Sequence, residues 1–122
     1  MKKKISTKRS PKRHDIWLVR FPFSDLASSK VRPALVLAIH REDVIVAGIF
    51  LRVPSSQLAK TWVRVEDASS HFRRTGLKKT SLVKAEKLAV VHQSVFVRRL
   101  GTLAPPLAAR VDTALKKVLH LD

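Results

Sequence analysis

Arg32 is the residue of this chain best placed to do chemistry. It stands between a small, polar stretch, Ser24-Asp25-Leu26-Ala27-Ser28-Ser29-Lys30, and Pro33, which opens the continuous apolar run 34–39. A following proline biases a residue towards extended backbone, so Arg32 should hold its guanidinium at a sheet edge beside the polar loop. A guanidinium keeps its charge at all working pH values, and its planar fork can grip two phosphate oxygens at once. The chemistry this suits is binding a phosphate and stabilising charge that gathers on it. By residue type alone a second reading stands beside the first: a surface arginine that fixes a strand end through an ion pair.

Proton transfer would need partners. Of the five histidines, His14 and His40 lie near the ends of the two strands expected around the loop. A histidine close to Arg32 could act as acid or base at neutral pH, although each one singly also reads as a surface histidine without a role. No pair has metal-ligand spacing, so neither a metal nor another cofactor is expected. Arg52, Arg73, Arg74, Lys78 and Lys79 are further cations that could track a phosphate backbone, the alternative being a scattered solvated face. For base stacking, Phe72 in His71-Phe72-Arg73-Arg74 is the stronger candidate, while Trp62 reads first as core packing.

These residues must be held by short elements. Ile16 and Leu18 alternate with Trp17, Val19 and Phe21, the period of a strand that uses both faces, and Pro22 then stops ladder pairing. Further strands are expected at 32–39, 43–50, 61–65, 81–85 and 95–100. Arg41-Glu42-Asp43 reads as a tight turn closing an antiparallel hairpin, and 68–79 as a polar, basic connection. Residues 86–91 fit a strand or a helical turn equally well. Leu107, Val111, Ala114, Leu115 and Val118 recur at helical spacing after Pro105-Pro106, where proline suits a first turn. Many short strands and one terminal helix predict a mainly β protein, a small and partly open barrel.

Composition sets the outer bounds. A chain of 122 residues suits one domain with a modest core. It has no cysteine, which fits a reducing compartment. No apolar run approaches a membrane span, and no apolar segment follows the basic N-terminus as in a secretory signal, so a cytoplasmic protein is expected. The formal net charge is +16. Residues 1–13 hold seven of the 25 Lys and Arg and no acid, which predicts a disordered basic tail. The single domain 14–122 keeps 18 basic residues against nine acidic, a balance of +9. Self-repulsion of that size calls for a polyanion or an acidic partner.

The wording along the chain resembles the PemK/MazF family of toxins from type II toxin–antitoxin pairs. The resemblance rests on an ordered series of segments over residues 15–121: DIWLVRFPFSDLASSKVRPALVLA at 15–38, GLKKTSLVKAEKL at 76–88, VFVRRLGTL at 95–103 and LAARVDTAL at 107–115. It implies an SH3-like barrel of the kind shared with the gyrase poison CcdB. It further implies a homodimer, an acidic antitoxin and metal-independent cleavage of single-stranded RNA in messengers, leaving 2′,3′-cyclic phosphate and 5′-OH ends. Arg32 matches the family's arginine in Arg-Pro-Ala and takes the catalytic role, with Ser28, Ser29, Lys30, Arg52, Lys78 and Lys79 as RNA-binding residues. Three positions depart from the pattern. His14 stands where glycine is usual, Ser28-Ser29-Lys30 where many members carry a glutamate, and Phe50-Leu51 where a hydroxyl is expected. The hydroxyl's work would then pass to Ser55 or Ser56, or catalysis is lost and a nucleic-acid-binding module remains. A CcdB-like inhibitor of a protein target is the third alternative.

Overall fold

The computed structural model describes residues 10–21, 30–55 and 58–121. Its elements are β1 (Asp15–Phe21), β2 (Lys30–His40), β3 (Asp43–Phe50), β4 (Trp62–Val65), β5 (Ser81–His92), β6 (Phe96–Thr102) and the helix α1 (Pro105–Leu119). The strands form one sheet in the order β4-β5-β3-β2-β1-β6, with each neighbouring pair antiparallel. Shifts of register break the β1–β6, β2–β3 and β3–β5 ladders. Such bulges bend and twist strands, and the result is an open, barrel-like sheet.

Both faces of this sheet are buried, and the alternation of side chains shows how. Ile16, Leu35, Leu37, Ala47, Ile49, Val63, Val65 and Val83 meet Leu107, Ala108, Val111 and Ala114 of α1. The intervening residues Trp17, Val19, Ala34, Val36, Val44 and Val46 point the other way and close on Val91 and Phe96. Trp17 and Phe96 pack edge to face, ring centroids 5.5 Å apart. α1 begins at Pro105-Pro106, where proline's fixed φ fits the first turn and its missing N–H costs nothing.

Two tight approaches fix the ends of the sheet. The 3₁₀ turn Arg73–Thr75 lies against β6, so close that a Cβ on Gly101 would sit 2.1 Å from the carbonyl oxygen of Arg74. At the entrance to β1, the buried carboxylate of Asp15 accepts from the backbone N–H of Lys12 at 3.0 Å and from Trp17 Nε1 at 3.2 Å. Its other oxygen lies 3.4 Å from Arg99 Nε. Residues 11–13, read from the sequence as the end of a tail, are joined to the body. Pro11 is buried, and Arg13 donates to the Leu37 carbonyl and pairs with Asp112 at 3.1 Å. Residues 1–9 lie outside the described residues.

Candidate nucleic-acid interface

The strand ladders end where the candidate chemistry begins. β2 starts at Lys30, two residues earlier than the strand expected at 32–39, so Arg32 lies inside the strand opposite Val19 of β1. On its other side β2 pairs with β3 only from Ala34, opposite Gly48. Pro33 has no N–H with which to extend that ladder, and beyond it the start of β2 and the end of β3 line a groove of about 850 Å³. Its walls carry the charges of Lys30, Arg32, Arg52, Lys79 and Lys84 beside the apolar Val31, Pro33, Phe50 and Leu51. No carboxylate is among the described lining residues. A smaller adjoining pocket shares Arg32, Pro33, Ile49 and Phe50 and adds Lys87. Arg32 is exposed and, among the described residues, forms no ion pair.

One wall is held more firmly than the rest. Lys84 of β5 pairs with Gly48 of β3 on one side and Trp62 of β4 on the other. Its ammonium lies 4.4 Å from the centroid of the Phe50 ring and 4.4 Å from that of Trp62. Gly48 makes room for this arrangement, since a Cβ there would come within 2.9 Å of the Phe50 ring. The indole is anchored in turn: Trp62 Nε1 donates to Glu86 Oε2 at 2.7 Å, and Thr61 Oγ1 donates to Glu86 Oε1 at 2.8 Å. Partial burial pushes the Glu86 pKa up, but these hydrogen bonds and the charge of Lys87 outweigh it and hold the carboxyl below its ordinary value. Glu86 is therefore an anion at neutral pH.

A groove lined by several cations, with no acid among its described residues, is a site for a polyanion. Comparison with known proteins specifies the lineage. The family model of the PemK-like, MazF-like toxins of type II toxin–antitoxin systems matches residues 12–119. The chain belongs to this family. Among curated protein sequences no relative matches. Among solved structures the fold is similar to the Mycobacterium tuberculosis toxin MazF-mt6, at 24% identity over 88% of this chain and 98% of that one, TM-score 0.69. It is similar also to an endoribonuclease in complex with its cognate antitoxin from a mycobacterial species, at 19% identity, 93% and 98% coverage and TM-score 0.70. A MazE–MazF structure from Deinococcus radiodurans gives 19% identity, 94% and 100% coverage and TM-score 0.70.

In this PemK/MazF-like chain the predicted site residues separate into groups. Lys30, Arg32, Arg52 and Lys79 converge on the groove, with Phe50 and Leu51 between them. Lys78 is exposed but does not line it, and Ser55 is likewise exposed outside it. Ser28, Ser29 and Ser56 lie outside the described residues. Neither histidine can serve Arg32. His14 precedes β1 five residues from Val19, the partner of Arg32, and His40 ends β2 eight residues away, so they lie roughly 17 and 26 Å along the strands. His14 faces a separate cleft with Arg13, Arg74, Thr102 and Asp112. Burial, then the charge of Arg13, lower its pKa below the ordinary histidine value, while Asp112 opposes them. Phe72 is half-buried, packs against the helix-side core and does not line the groove.

Arg74 belongs to the His14 cleft and not to a run with Arg52 and Lys79. Lys84 of the groove and Lys87 of the adjoining pocket are the cations missed in the sequence. The signal for Lys84 was its place between Val83 and Ala85, a charge alternating with buried residues. Among the described residues no cluster of His, Asp and Glu could hold a metal ion, and no helix is long and apolar enough to cross a membrane.

Proposed function

We propose that this protein is the toxin of a type II toxin–antitoxin pair and an endoribonuclease that cuts single-stranded RNA in messengers. The observation that carries this reading is the groove in which Lys30, Arg32, Arg52, Lys79 and Lys84 converge with no carboxylate among the described lining residues. In the reaction the 2′-oxygen attacks the adjacent phosphorus as the bond to the 5′-oxygen breaks. One proton leaves the 2′-OH, one reaches the departing oxygen, and the products are a 2′,3′-cyclic phosphate and a 5′-OH. Arg32 binds the phosphoryl oxygens and stabilises the charge that gathers on them. Lys30, Arg52, Lys78 and Lys79 bind flanking phosphates, and Ser28 and Ser29 of the 22–29 connection contact the RNA. The acidic antitoxin neutralises the positive body of the protein and covers the groove, and two copies pair as an isologous dimer in the cytoplasm.

The lining also favours a second reading. Its described residues include no hydroxyl, histidine or carboxylate that could move a proton, and Phe50 and Leu51 stand where the family pattern calls for a hydroxyl. On that reading the chain binds RNA without cutting it. The deciding experiment incubates purified protein with a mixed-sequence RNA pool, with and without EDTA, and analyses the ends formed. Cyclic phosphate ends in both samples support the enzyme. RNA that is bound and never cut, with cutting restored by Phe50→Thr or Leu51→Ser, supports the binding module. Sedimentation showing only the 13.7 kDa monomer at micromolar concentration would refute the dimer.

A further inference from the structure

We infer that Lys84 is a phosphate-contacting residue of the groove, and that Gly48, Phe50, Trp62 and Glu86 act as the positioning residues that aim it. The inference rests on the RNA-binding reading above and deepens it.

Lys84 differs from the other groove cations in being fixed. A lysine head on a four-carbon stem is normally mobile and must be ordered when it binds a phosphate. Here two aromatic faces attract the ammonium, each at 4.4 Å. Each face is itself held. The Phe50 ring fills the space that Gly48 leaves empty, and the Trp62 indole is tied to Glu86 at 2.7 Å. Glu86 forms no ion pair with the lysine: its two oxygens accept from Thr61 and Trp62, and no carboxylate pairs with Lys84 among the described residues. The structure therefore orients the ammonium with neutral rings and leaves its charge for an anion. Because Lys84 lines the same groove as Arg32 and Lys79, that anion is a phosphate of the bound strand. A preordered cation loses little freedom on binding, which is where such a scaffold gains affinity and rate.

The test uses Lys84→Met, which keeps most of the apolar stem and removes the charge, and Lys84→Arg, which keeps the charge. RNA affinity is measured against salt, and single-turnover cleavage at saturating protein. Lys84→Met should flatten the plot of log affinity against log salt by about 0.7, one phosphate contact on a single strand. It should slow cleavage by about 10²-fold, and Lys84→Arg should retain the salt slope. Gly48→Ala removes no charge but displaces the Phe50 ring. It should slow cleavage in the wild-type background and change it less than about twofold in the Lys84→Met background, since the two act as one unit. An unchanged slope and rate in Lys84→Met, with wild-type protein active, overturns the inference and leaves the toxin reading intact. Wild-type protein that neither binds nor cuts RNA overturns both. If wild type binds without cutting, the salt slope alone decides.

Discussion

Replacing Arg32 by alanine should separate catalysis from binding and from folding, and the structure sets all three magnitudes. The guanidinium is exposed and has no ion-pair partner among the described residues, so its loss should change stability by no more than about 0.5 kcal/mol. If all five cations lining the groove contact phosphates, log affinity should fall with log salt at a slope of about −3.5, and Arg32→Ala should relax it to about −2.8. The rate effect should be larger. A fixed donor facing the phosphoryl oxygens contributes about 10²–10³ in rate, or about 2.7–4 kcal/mol of transition-state stabilisation. Arg32→Lys should recover only part of that, because an ammonium cannot reproduce the two-pronged fork. The assay is single-turnover cleavage of an end-labelled RNA at saturating protein, repeated across salt concentrations, with thermal melts of each variant. Cleavage by Arg32→Ala at the wild-type rate would refute its assignment. A melting point lowered by many degrees would show that Arg32 has a structural task the geometry does not reveal.

Three other perturbations probe different parts of the molecule. Asp15→Ala should cost about 1–3 kcal/mol in a denaturant titration, because the Lys12 amide and the buried Trp17 indole would lose their acceptor. His14→Gly should stabilise the fold by about 1 kcal/mol, since histidine is held at φ 73° with its Nε2 buried and unpaired among the described residues. It should also remove a pH dependence. The folded state lowers the His14 pKa, so on acidification the unfolded chain takes up the proton first. Wild-type stability should therefore fall as pH drops below about 6.5 and level off below the folded-state value, whereas the glycine variant lacks that component. Deleting residues 1–9, which carry five Lys and Arg, should weaken RNA binding at low salt and leave the cleavage rate of bound RNA unchanged.

The fold was legible where one physical rule governed a segment. The two-sided burial of β1 follows from Ile16 and Trp17 pointing to opposite cores, and the spacing of Leu107, Val111 and Ala114 marks the face of α1 that meets the sheet. Arg41-Glu42 closes the β2–β3 hairpin as its residue types suggested, with Arg41 taking the positive φ the turn needs. β5 was obscure for a definite reason. Gly48 pairs with Lys84, but the next β3 residue back, Ala47, pairs with Leu88, so Ala85, Glu86 and Lys87 are extra residues in the ladder. Val83 and Ala85 face the helix, whereas Ala89 and Val91 face the other core. Period-2 reading assumes that residues of like parity share a face, and a bulge of this size cancels that assumption.

The same irregularity explains why half of the site could not be read. Lys30 opens β2, Arg32 directly precedes Pro33 and Arg52 lies just past β3, two residues before Pro54, so their local context announces them. Lys84 depends on three strands at once: Gly48 of β3 must lack a side chain, Trp62 must stand opposite on β4, and Glu86 must bulge from β5 to hold the indole. Each of these residues has an ordinary local reading, as a strand glycine, a half-buried tryptophan and a solvated glutamate. Their joint effect appears only in register. Phe50 shows the converse. In sequence it reads as the loss of a hydroxyl from a catalytic position, yet in the sheet its ring lies against a cation on the groove wall. A residue that cannot transfer a proton can still hold a cation in place, and the Phe50 ring does so for Lys84.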